Sequence, residues 1–539
     1  MAQSHTPTER GEKIDSDEVE QIEQVDQSEQ HLARLANHED HTLGKLDALR
    51  KYPRSIAWCI YGAWCLVLAS FENLAGGQVI GIPQFRKDFG HPYAGDYVLE
   101  SSWQSAINGA PVAAVAVGTL GAAYLADKIG RKYMLLIGLA IGYAGITLEI
   151  TATSLQVFFI GKFINGFAIG TYSSVAVSYV GEIAPLALRG VMTALCAFAF
   201  TFGPLIGALI MNYTSSSDTR WAYRALFSSQ YGFAGIATII WPFMPESPWW
   251  LLSSNRETAA KKALRSLGLP ADEIPKRVAD IKNTLAQIQE ESAGVTYLEC
   301  FRLSNFRRTI ISIAPMCIVG LNGVYFIGSY FTYYVQLAGF TARESFQLQI
   351  AQQVLSMAGN IMSWFVIDRV GRRDLTFWGL VVLTIVLIIV GGLGTRTEVA
   401  TTKGVIALEM LYVWWYNLTI GATAYTLLAE TAAARLRVKS VAIGVALQNV
   451  LFTMWAFVIP FVFNPDKANL GAKTAFIFGG ISVFCILYVW VYQPETAGRT
   501  YAELDEMFMK GVPARKFKTY RTDIEIQGEA VLQGKKLET

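Results

Sequence analysis

Apolar runs of membrane-spanning length constrain this chain more than any other feature. A helix needs about 20 mostly apolar residues to cross roughly 30 Å of hydrocarbon, and twelve stretches meet that requirement. They begin near Ala57, Trp103, Tyr133, Leu155, Gly190, Tyr231, Thr309, Leu348, Leu375, Gly404, Ser440 and Thr474. Because 52% of the residues are hydrophobic and only 16% are charged, the balance is wrong for a soluble protein of this size. We predict an all-α membrane protein with twelve transmembrane helices.

A polar segment divides these spans into two sets of six. It runs from about Pro248 to Arg308 and contains the amphipathic stretch EIPKRVADIKNTLAQIQEE, which predicts a linker with short helices. We therefore expect five parts: a tail over 1–55, a six-helix half over 56–247, the linker over 248–308, a second six-helix half over 309–495 and a tail over 496–539.

Basic residues predict the orientation of the bundle. The positive-inside rule is best satisfied when both termini and the linker are cytoplasmic, and the long charged segment before the first span argues against a cleaved signal peptide. Residues then on the cytoplasmic side are Lys128, Arg131, Lys132, Arg189, Arg369, Arg372, Arg373, Arg435, Arg437 and Lys439. Exceptions that fall in outside loops are Arg86, Lys87, Arg220 and Arg224. We expect a multi-pass protein of the plasma membrane.

Three local patterns occur once in each half and in the same order. DKIGRK at 127 matches DRVGRR at 368, EIAPLALR at 182 matches ETAAARLR at 430, and PESP at 245 matches PETAGR at 494. Their separations are similar, at 241, 248 and 249 residues. Such a parallel repeat of six helices predicts a transporter whose substrate site lies between the halves at the middle of the membrane.

The charged residues of these repeats are candidates for a cytoplasmic gate. Asp127 and Asp368 can lie near helix ends and pair with arginines across the cytoplasmic face. Glu182 with Arg189, and Glu430 with Arg437, can form a latch on the same side. These contacts would break and reform as the halves rock; alternatively, the charges only anchor the topology. The predicted gate comprises Asp127, Arg131, Glu182, Arg189, Asp368, Arg372, Glu430 and Arg437.

These motifs also carry a family resemblance. DKIGRK, EIAPLALRG, PESPWWL and PETAGRT resemble the signatures of the sugar-porter branch of the major facilitator superfamily. Within that branch, four segments most resemble fungal maltose and α-glucoside permeases: PESPWWLL, GNIMSWFVIDRVGRR, YNLTIGATAYTLLAE and PETAGRTYAELDEMFMKGVPARKF. The resemblance spans most of the chain. It implies the major facilitator fold and proton-coupled sugar import by alternating access.

Two charged residues within spans are candidates for proton coupling. An ionised acid inside a span is costly unless it is neutralised, paired or part of a proton pathway. Glu72 lies where, by the resemblance, related symporters carry the acid that takes up the coupling proton. Lys162 stands where many sugar porters have an arginine, and it either pairs with Glu72 or extends to the outer interface. Glu149 and Glu409 lie nearer the ends of their spans, and we predict that they are interfacial.

A sugar site needs amides and hydroxyls for the ring hydroxyls and aromatic faces for the apolar side of the ring. The candidates are Gln104, Asn322, Tyr325, Asn360, Tyr425, Gln448 and Asn449, although each can instead join helices. The chain departs from the sugar-porter pattern at Met316 and Cys317, which replace a glutamine pair, and at Ala197, which replaces an amide. These departures fit a different glycoside, a less hydroxylated substrate or a receptor-like protein.

The remaining features exclude other classes. No hydrolytic or redox motif is present, so we do not expect an enzyme or a cofactor. The six cysteines show no metal-ligand spacing, and a net charge of +2 gives no reason to expect a nucleic-acid partner. The expected partners are a sugar, a proton and the lipid bilayer, with the protein acting as a monomer. Alternatives are a transporter of a non-sugar metabolite and a non-transporting sugar sensor, although the short C-terminal tail argues against a sensor.

Overall fold

The computed structural model describes residues 45–523, except 94–95, 186–187, 293–295, 397, 434–435, 465–466 and 500. Most of the predicted tails, together with Arg435, therefore lies outside the described residues. The first half contains α1 Lys45–Lys51, α2 Pro53–Val79, α3 Pro83–Phe89, β1 His91–Tyr93, β2 Asp96–Val98, α4 Ser101–Ile129, α5 Arg131–Thr151, α6 Leu155–Ile183, α7 Arg189–Thr214 and α8 Trp221–Ile240. The linker contains α9 Pro248–Ser253, α10 Glu257–Ser266 and α11 Ile274–Ser292. The second half contains α12 Leu303–Leu321, α13 Val324–Leu337, α14 Ala342–Val370, α15 Arg372–Leu393, α16 Val399–Leu418, α17 Ile420–Thr431, α18 Arg437–Phe463 and α19 Ala475–Tyr492, followed by α20 Tyr501–Met509.

Membrane-length helices dominate the structure, which confirms the predicted all-α membrane fold. Ten helical segments within the described part of the chain are long and apolar enough to cross a bilayer, counting α12 with α13 and α16 with α17 as single segments. Helices α6 and α8, which are 29 and 20 residues long, occupy the fourth and sixth predicted positions. Helix α8 begins at Trp221 rather than near Tyr231. Its early turns include Arg224, whose guanidinium donates to the carbonyl of Ala152 on the neighbouring connection (3.5 Å).

Small residues allow the helices of the first half to pack closely. A Cβ at Gly170 of α6 would lie 2.4 Å from the carbonyl oxygen of Val115 on α4, and one at Gly166 would lie 2.7 Å from that of Pro111. Membrane helices commonly approach through such small residues, because lipid supplies no hydrophobic force that drives helices together. The close contact fixes α6, which carries Lys162, against its neighbours.

Two spans of the second half are broken near their middles. The seventh span divides at Asn322 and Gly323, and Gly323 adopts a left-handed φ of 91°. The tenth span divides at Thr419, where φ is −112° and ψ is −91°. Irregular backbone within a membrane bundle is tolerated where it is buried in protein or lines a cavity, and transporters use such breaks at their substrate sites.

The two ends of the bundle differ in structure. At one end, which we call the linker end, the linker helices pack on one another and Lys51 forms an ion pair with Glu273 (2.7 Å). At the opposite end, which we call the far end, α3 and a two-stranded antiparallel hairpin connect the first two spans. The hairpin pairs His91 with Val98, and the apolar periodicity of the spans gave no indication of it.

Candidate functional site

A buried ion pair lies at the centre of the first half. Glu72 of α2 and Lys162 of α6 are 3% and 1% exposed, and the Lys162 ammonium donates to the Glu72 carboxylate. Gln230 of α8 donates from its side-chain nitrogen to the second oxygen of Glu72 (2.5 Å). The Lys162 nitrogen also lies 4.8 Å from the centre of the Phe227 ring. Of the two positions open to Lys162 from sequence, the structure therefore shows the pair with Glu72.

The prediction that Glu149 and Glu409 are interfacial is wrong, because they are 0% and 2% exposed. Glu149 is buried because Gly161 allows α6 to approach α5: a Cβ at Gly161 would lie 3.0 Å from the Cγ of Glu149. Asn165 of α6 then donates to the Glu149 carboxylate (3.3 Å). Glu409 is buried because α16 packs against both α14 and α15.

Predicted sugar-binding residues lie on both sides of the boundary between the halves. Gln104 of α4 is fully buried and donates to the carbonyl of Leu99 (2.8 Å), while its own oxygen has no hydrogen-bond partner among the described residues. One turn further along α4, Asn108 donates to the hydroxyl of Tyr330 on α13 (3.3 Å). The Asn108 contact therefore joins the two halves in the interior.

Five other predicted sugar-binding residues lie near the broken helices or on α18. Asn322 accepts a hydrogen bond from the backbone N–H of Val324 (3.1 Å), and its side-chain nitrogen has no partner in the part of the chain described. Tyr325 packs its ring against Phe452, with the ring centres 5.5 Å apart. Tyr425 of α17 donates to the side-chain oxygen of Gln448 on α18 (3.5 Å), and the partly buried Asn449 is the next residue of that helix.

A polar stripe on α14 extends beyond the single residue predicted there. Gln349, Gln352, Ser356 and Asn360 follow one another at intervals of three or four residues, which places them on one helix face. Gln352 is 1% exposed, and neither atom of its side-chain amide has a partner among the described residues. The side-chain oxygen of Asn360 also has no hydrogen-bond partner among the described residues. The spacing alone would have indicated this face, but sequence reasoning identified only Asn360.

The three repeated motifs of the first half meet at the linker end. Glu246 of the PESP motif accepts hydrogen bonds from the backbone N–H groups of Arg131 (2.9 Å) and Lys132 (3.2 Å), at the start of α5. The Arg131 side chain pairs with Glu182 (3.0 Å) and Asp127 (3.1 Å). Burial raises the pKa of the Glu246 carboxyl, and the backbone N–H donors oppose that rise. Because a helix N-terminus carries partial positive charge, it favours a carboxylate at this position.

The second half repeats this arrangement. Glu495 accepts from the backbone N–H groups of Arg372 (2.9 Å) and Arg373 (3.1 Å), at the start of α15. Arg372 pairs with Glu430 (3.5 Å), which also accepts a hydrogen bond from the Thr496 hydroxyl (2.5 Å). The sequence repeat is therefore a repeat of one structural cluster, formed within each half.

The remaining predicted gate residues lie close to these clusters. Arg189 and Arg437 are the first residues of α7 and α18. Asp368 lies on the last turn of α14, and its side chain is outside the structural description. For Glu182 and Glu430, the ion pairs given above use the turn arginines, whereas the sequence suggested Arg189 and Arg437 as their partners.

At the far end, hydrogen bonds join the two halves. Arg86 of α3 donates to the side-chain oxygen of Gln336 on α13 (2.8 Å), and the Gln336 nitrogen donates to the carbonyl of Gly81 (2.5 Å). Asn464 at the end of α18 donates to the hydroxyl of Ser101 on α4 (2.9 Å). These contacts close the far end of the boundary. From sequence, Arg86 could be identified only as an exception to the positive-inside rule. Its role in joining the halves could not be predicted, because Gln336 lies 250 residues away in the chain.

Comparison with known proteins identifies the family of this chain. Residues 59–508 match the family described as "Sugar (and other) transporter". The chain is 31% identical over 540 residues to the maltose permease MAL31 of Saccharomyces cerevisiae, covering 96% of this chain and 86% of the permease. It is 32% identical over 501 residues to the alpha-glucosides permease MPH3 of the same species, covering 90% and 83%.

Solved structures show the same fold. The inward-open xylose transporter XylE from E. coli matches with a TM-score of 0.68 at 20% identity, covering 84% of this chain and 99% of that one. The proton:xylose symporter XylE bound to 6-bromo-6-deoxy-D-glucose matches with a TM-score of 0.66 at 18% identity, covering 85% and 100%. With its repeated motifs and this match over most of its length, the chain belongs to the family of sugar (and other) transporters, and it has the fold of the major facilitator transporters.

Proposed function

We propose that this protein is a proton-coupled importer of α-glucosides that works by alternating access. The buried ion pair between Glu72 and Lys162 is the observation that carries this proposal. A proton arriving on Glu72 would neutralise that carboxylate and release Lys162 from it, so that proton binding changes the contacts between α2, α6 and α8. The substrate class follows from the curated relatives, which are named maltose and α-glucoside permeases.

The membrane potential supplies enough energy for such an importer. One elementary charge crossing 100 mV provides about 2.3 kcal/mol, which corresponds to roughly fifty-fold accumulation of a neutral sugar before any pH gradient is added. We therefore propose inward transport coupled to proton entry.

The proposed sugar site lies between the halves, beside the broken helices. Asn322, Tyr325, Tyr425, Gln448 and Asn449 supply amides, hydroxyls and rings from the second half, and Gln104 supplies an amide oxygen from the first. Gln352 has an amide without a partner among the described residues, so it can replace hydrogen-bonding capacity lost at Met316 and Cys317. Unpaired buried amides are costly, and sugar hydroxyls would satisfy them.

Charge favours a cytoplasmic position for the linker end. Basic residues gather there at the turns that begin α5 and α15, as the positive-inside rule requires of cytoplasmic loops. With this orientation both termini are cytoplasmic and the far end faces outward, so the described conformation is closed to the outside. We place the protein in the plasma membrane as a functional monomer. The gate residues at the linker end would then hold the opposite, outward-facing conformation or fix the turns of each half.

Gln336→Ala is expected to open the far end more often, because it removes both hydrogen bonds that Gln336 makes to the first half. A bond to a charged group contributes about 1.5–3 kcal/mol, so we expect about tenfold faster external labelling of a cysteine placed at Thr332, which is 2% exposed. The measurement uses a membrane-impermeant maleimide on intact cells. Gln84→Ala is the control, since Gln84 bonds to Asp88 within α3. Equal labelling rates in the Gln336→Ala variant and the parent protein would contradict this account of the closure.

Uptake of labelled maltose at acidic and alkaline external pH tests the proposed function, with transporter-deficient cells expressing the wild type or Glu72→Gln. We expect acid-stimulated accumulation in the wild type and a fall to the equilibrium ratio of about 1 in Glu72→Gln. The glutamine keeps the size of the side chain but can neither bind the proton nor hold the ion pair. Surface abundance is measured for both proteins.

Two other results would redirect the proposal. If the wild type reaches the surface but takes up neither maltose nor other sugars, the departures at Ala197, Met316 and Cys317 indicate a less hydroxylated ligand or a sensor. If Glu72→Gln accumulates maltose normally, Glu72 does not carry the proton.

A further inference from the structure

We propose that Glu149 is a second proton-binding carboxyl, which shares one transported proton with Glu72 while Lys162 neutralises the carboxylate that remains ionised. This inference rests on the proposed function and deepens it, because it assigns the proton to a pair of acids on α2 and α5. Sequence reasoning excluded Glu149 from the site, and the fold brings it in.

Geometry places the two acids in one cluster. Glu149 is fully buried beside the pair of Glu72 and Lys162, so the charges of both residues act on its carboxyl. One of its oxygens accepts from Asn165, and the other, Oε2, has no hydrogen-bond partner among the described residues. A buried carboxylate oxygen without a donor is costly, and a proton on Oε2 would remove that cost by turning the carboxylate into a neutral carboxyl that can donate. Gly161 brings the backbone of α6 against Glu149 immediately before Lys162.

The charges in this cluster do not balance without a proton. The charges that act on Glu149 are those of Glu72 on α2 and Lys162 on α6, which form an ion pair with each other. The other donors, Asn165 and Gln230, are neutral amides. Arg224 of α8 is directed to the carbonyl of Ala152, beyond the end of α5. Two carboxylates and one ammonium leave a net charge of −1 in a region of low dielectric, where an unbalanced charge is expensive.

One bound proton makes the cluster neutral. A site with Glu72 and Lys162 alone would be neutral when empty, and protonation would leave the Lys162 ammonium buried without a counter-charge. With Glu149 present, the protonated site is the neutral one, because it contains one carboxylate, one ammonium and one neutral carboxyl. The second acid therefore supplies the affinity for the proton, and Lys162 can remain paired with either carboxylate.

Glu149→Gln tests the inference because it removes the second acid while its amide oxygen can still accept from Asn165. The assay adds maltose to energised cells and records external alkalinisation, accumulation and the exchange of labelled for unlabelled sugar. We expect Glu149→Gln to keep exchange, to lose sugar-dependent proton uptake and to accumulate maltose only to a ratio of about 1. Glu409→Gln, which removes another buried acid of a span, is expected to keep all three activities.

The outcomes separate the two proposals. Maltose transport without proton uptake in the wild type would remove the proposed symport and this inference with it. A different result is that the wild type couples sugar to protons and Glu149→Gln has the same proton-to-sugar ratio and pH profile. That result would leave the proposed symport intact and overturn the role of Glu149. If Glu149→Gln does not reach the surface, Glu149→Asp decides: retained coupling with a displaced pH profile supports the inference, and an unchanged profile refutes it.

Discussion

Lys162→Met is expected to abolish maltose uptake and to destabilise the protein by about 3–5 kcal/mol, the usual cost of removing one partner from a buried ion pair. Methionine fills a similar volume beside Phe227 but leaves Glu72 and Glu149 without the Lys162 ammonium. The remaining donors at those carboxylates, Gln230 and Asn165, are neutral. Thermal unfolding of the detergent-solubilised protein, followed by size-exclusion chromatography, measures the stability, and uptake in cells measures the activity.

Two further variants separate the loss of charge from the loss of shape. Lys162→Arg keeps the cation and is expected to retain most of the stability. The double variant Lys162→Met with Glu72→Gln removes one charge of each sign, so it should unfold at a higher temperature than Lys162→Met alone while remaining unable to accumulate sugar. If Lys162→Met is as stable and as active as the wild type, the ion pair contributes nothing measurable to folding or to transport.

The membrane bundle follows from sequence because its cause is local. Each apolar run must form a helix once it is in lipid, where the backbone has no water to bind, so the fold class and the family assignment are confirmed. Glu72 and Lys162 could be chosen because a charge within an apolar run needs a special explanation. The repeat likewise indicated the linker-end clusters before their geometry was known.

Features that depend on contact between distant segments could not be predicted in this way. Glu149 is near the end of its span in sequence, and only the approach of α6 through Gly161 buries it. The pairing of Arg86 with Gln336 depends on how two halves meet, which no local pattern records. The sugar residues remain the least determined, because a buried amide that joins helices and one that binds a ligand have the same sequence pattern.

Gly371→Ala is expected to destabilise the protein by about 2–4 kcal/mol, because two independent requirements exclude a side chain at this turn. Gly371 has a φ of 97°. At this angle the backbone of any residue other than glycine is strained, at a usual cost of about 1–3 kcal/mol. A Cβ there would also lie 2.5 Å from a carboxylate oxygen of Glu495, the group that accepts from the first N–H groups of α15. A lower unfolding temperature in detergent and reduced surface abundance are the expected measurements.

Gly392→Ala is the matched control, since Gly392 lies within α15 and a Cβ there meets no atom within 4 Å. Alanine favours helix over glycine by about 1 kcal/mol, so this variant should be at least as stable as the wild type. Gly130→Ala should reproduce the damage in the first half, where φ is 96° and a Cβ would collide with the Glu246 carboxylate. Equal stabilities of the Gly371→Ala and Gly392→Ala variants would mean that the carboxylate at the start of α15 moves freely. The repeated turn would then be a charge signal for topology, and its geometry would not need to be preserved.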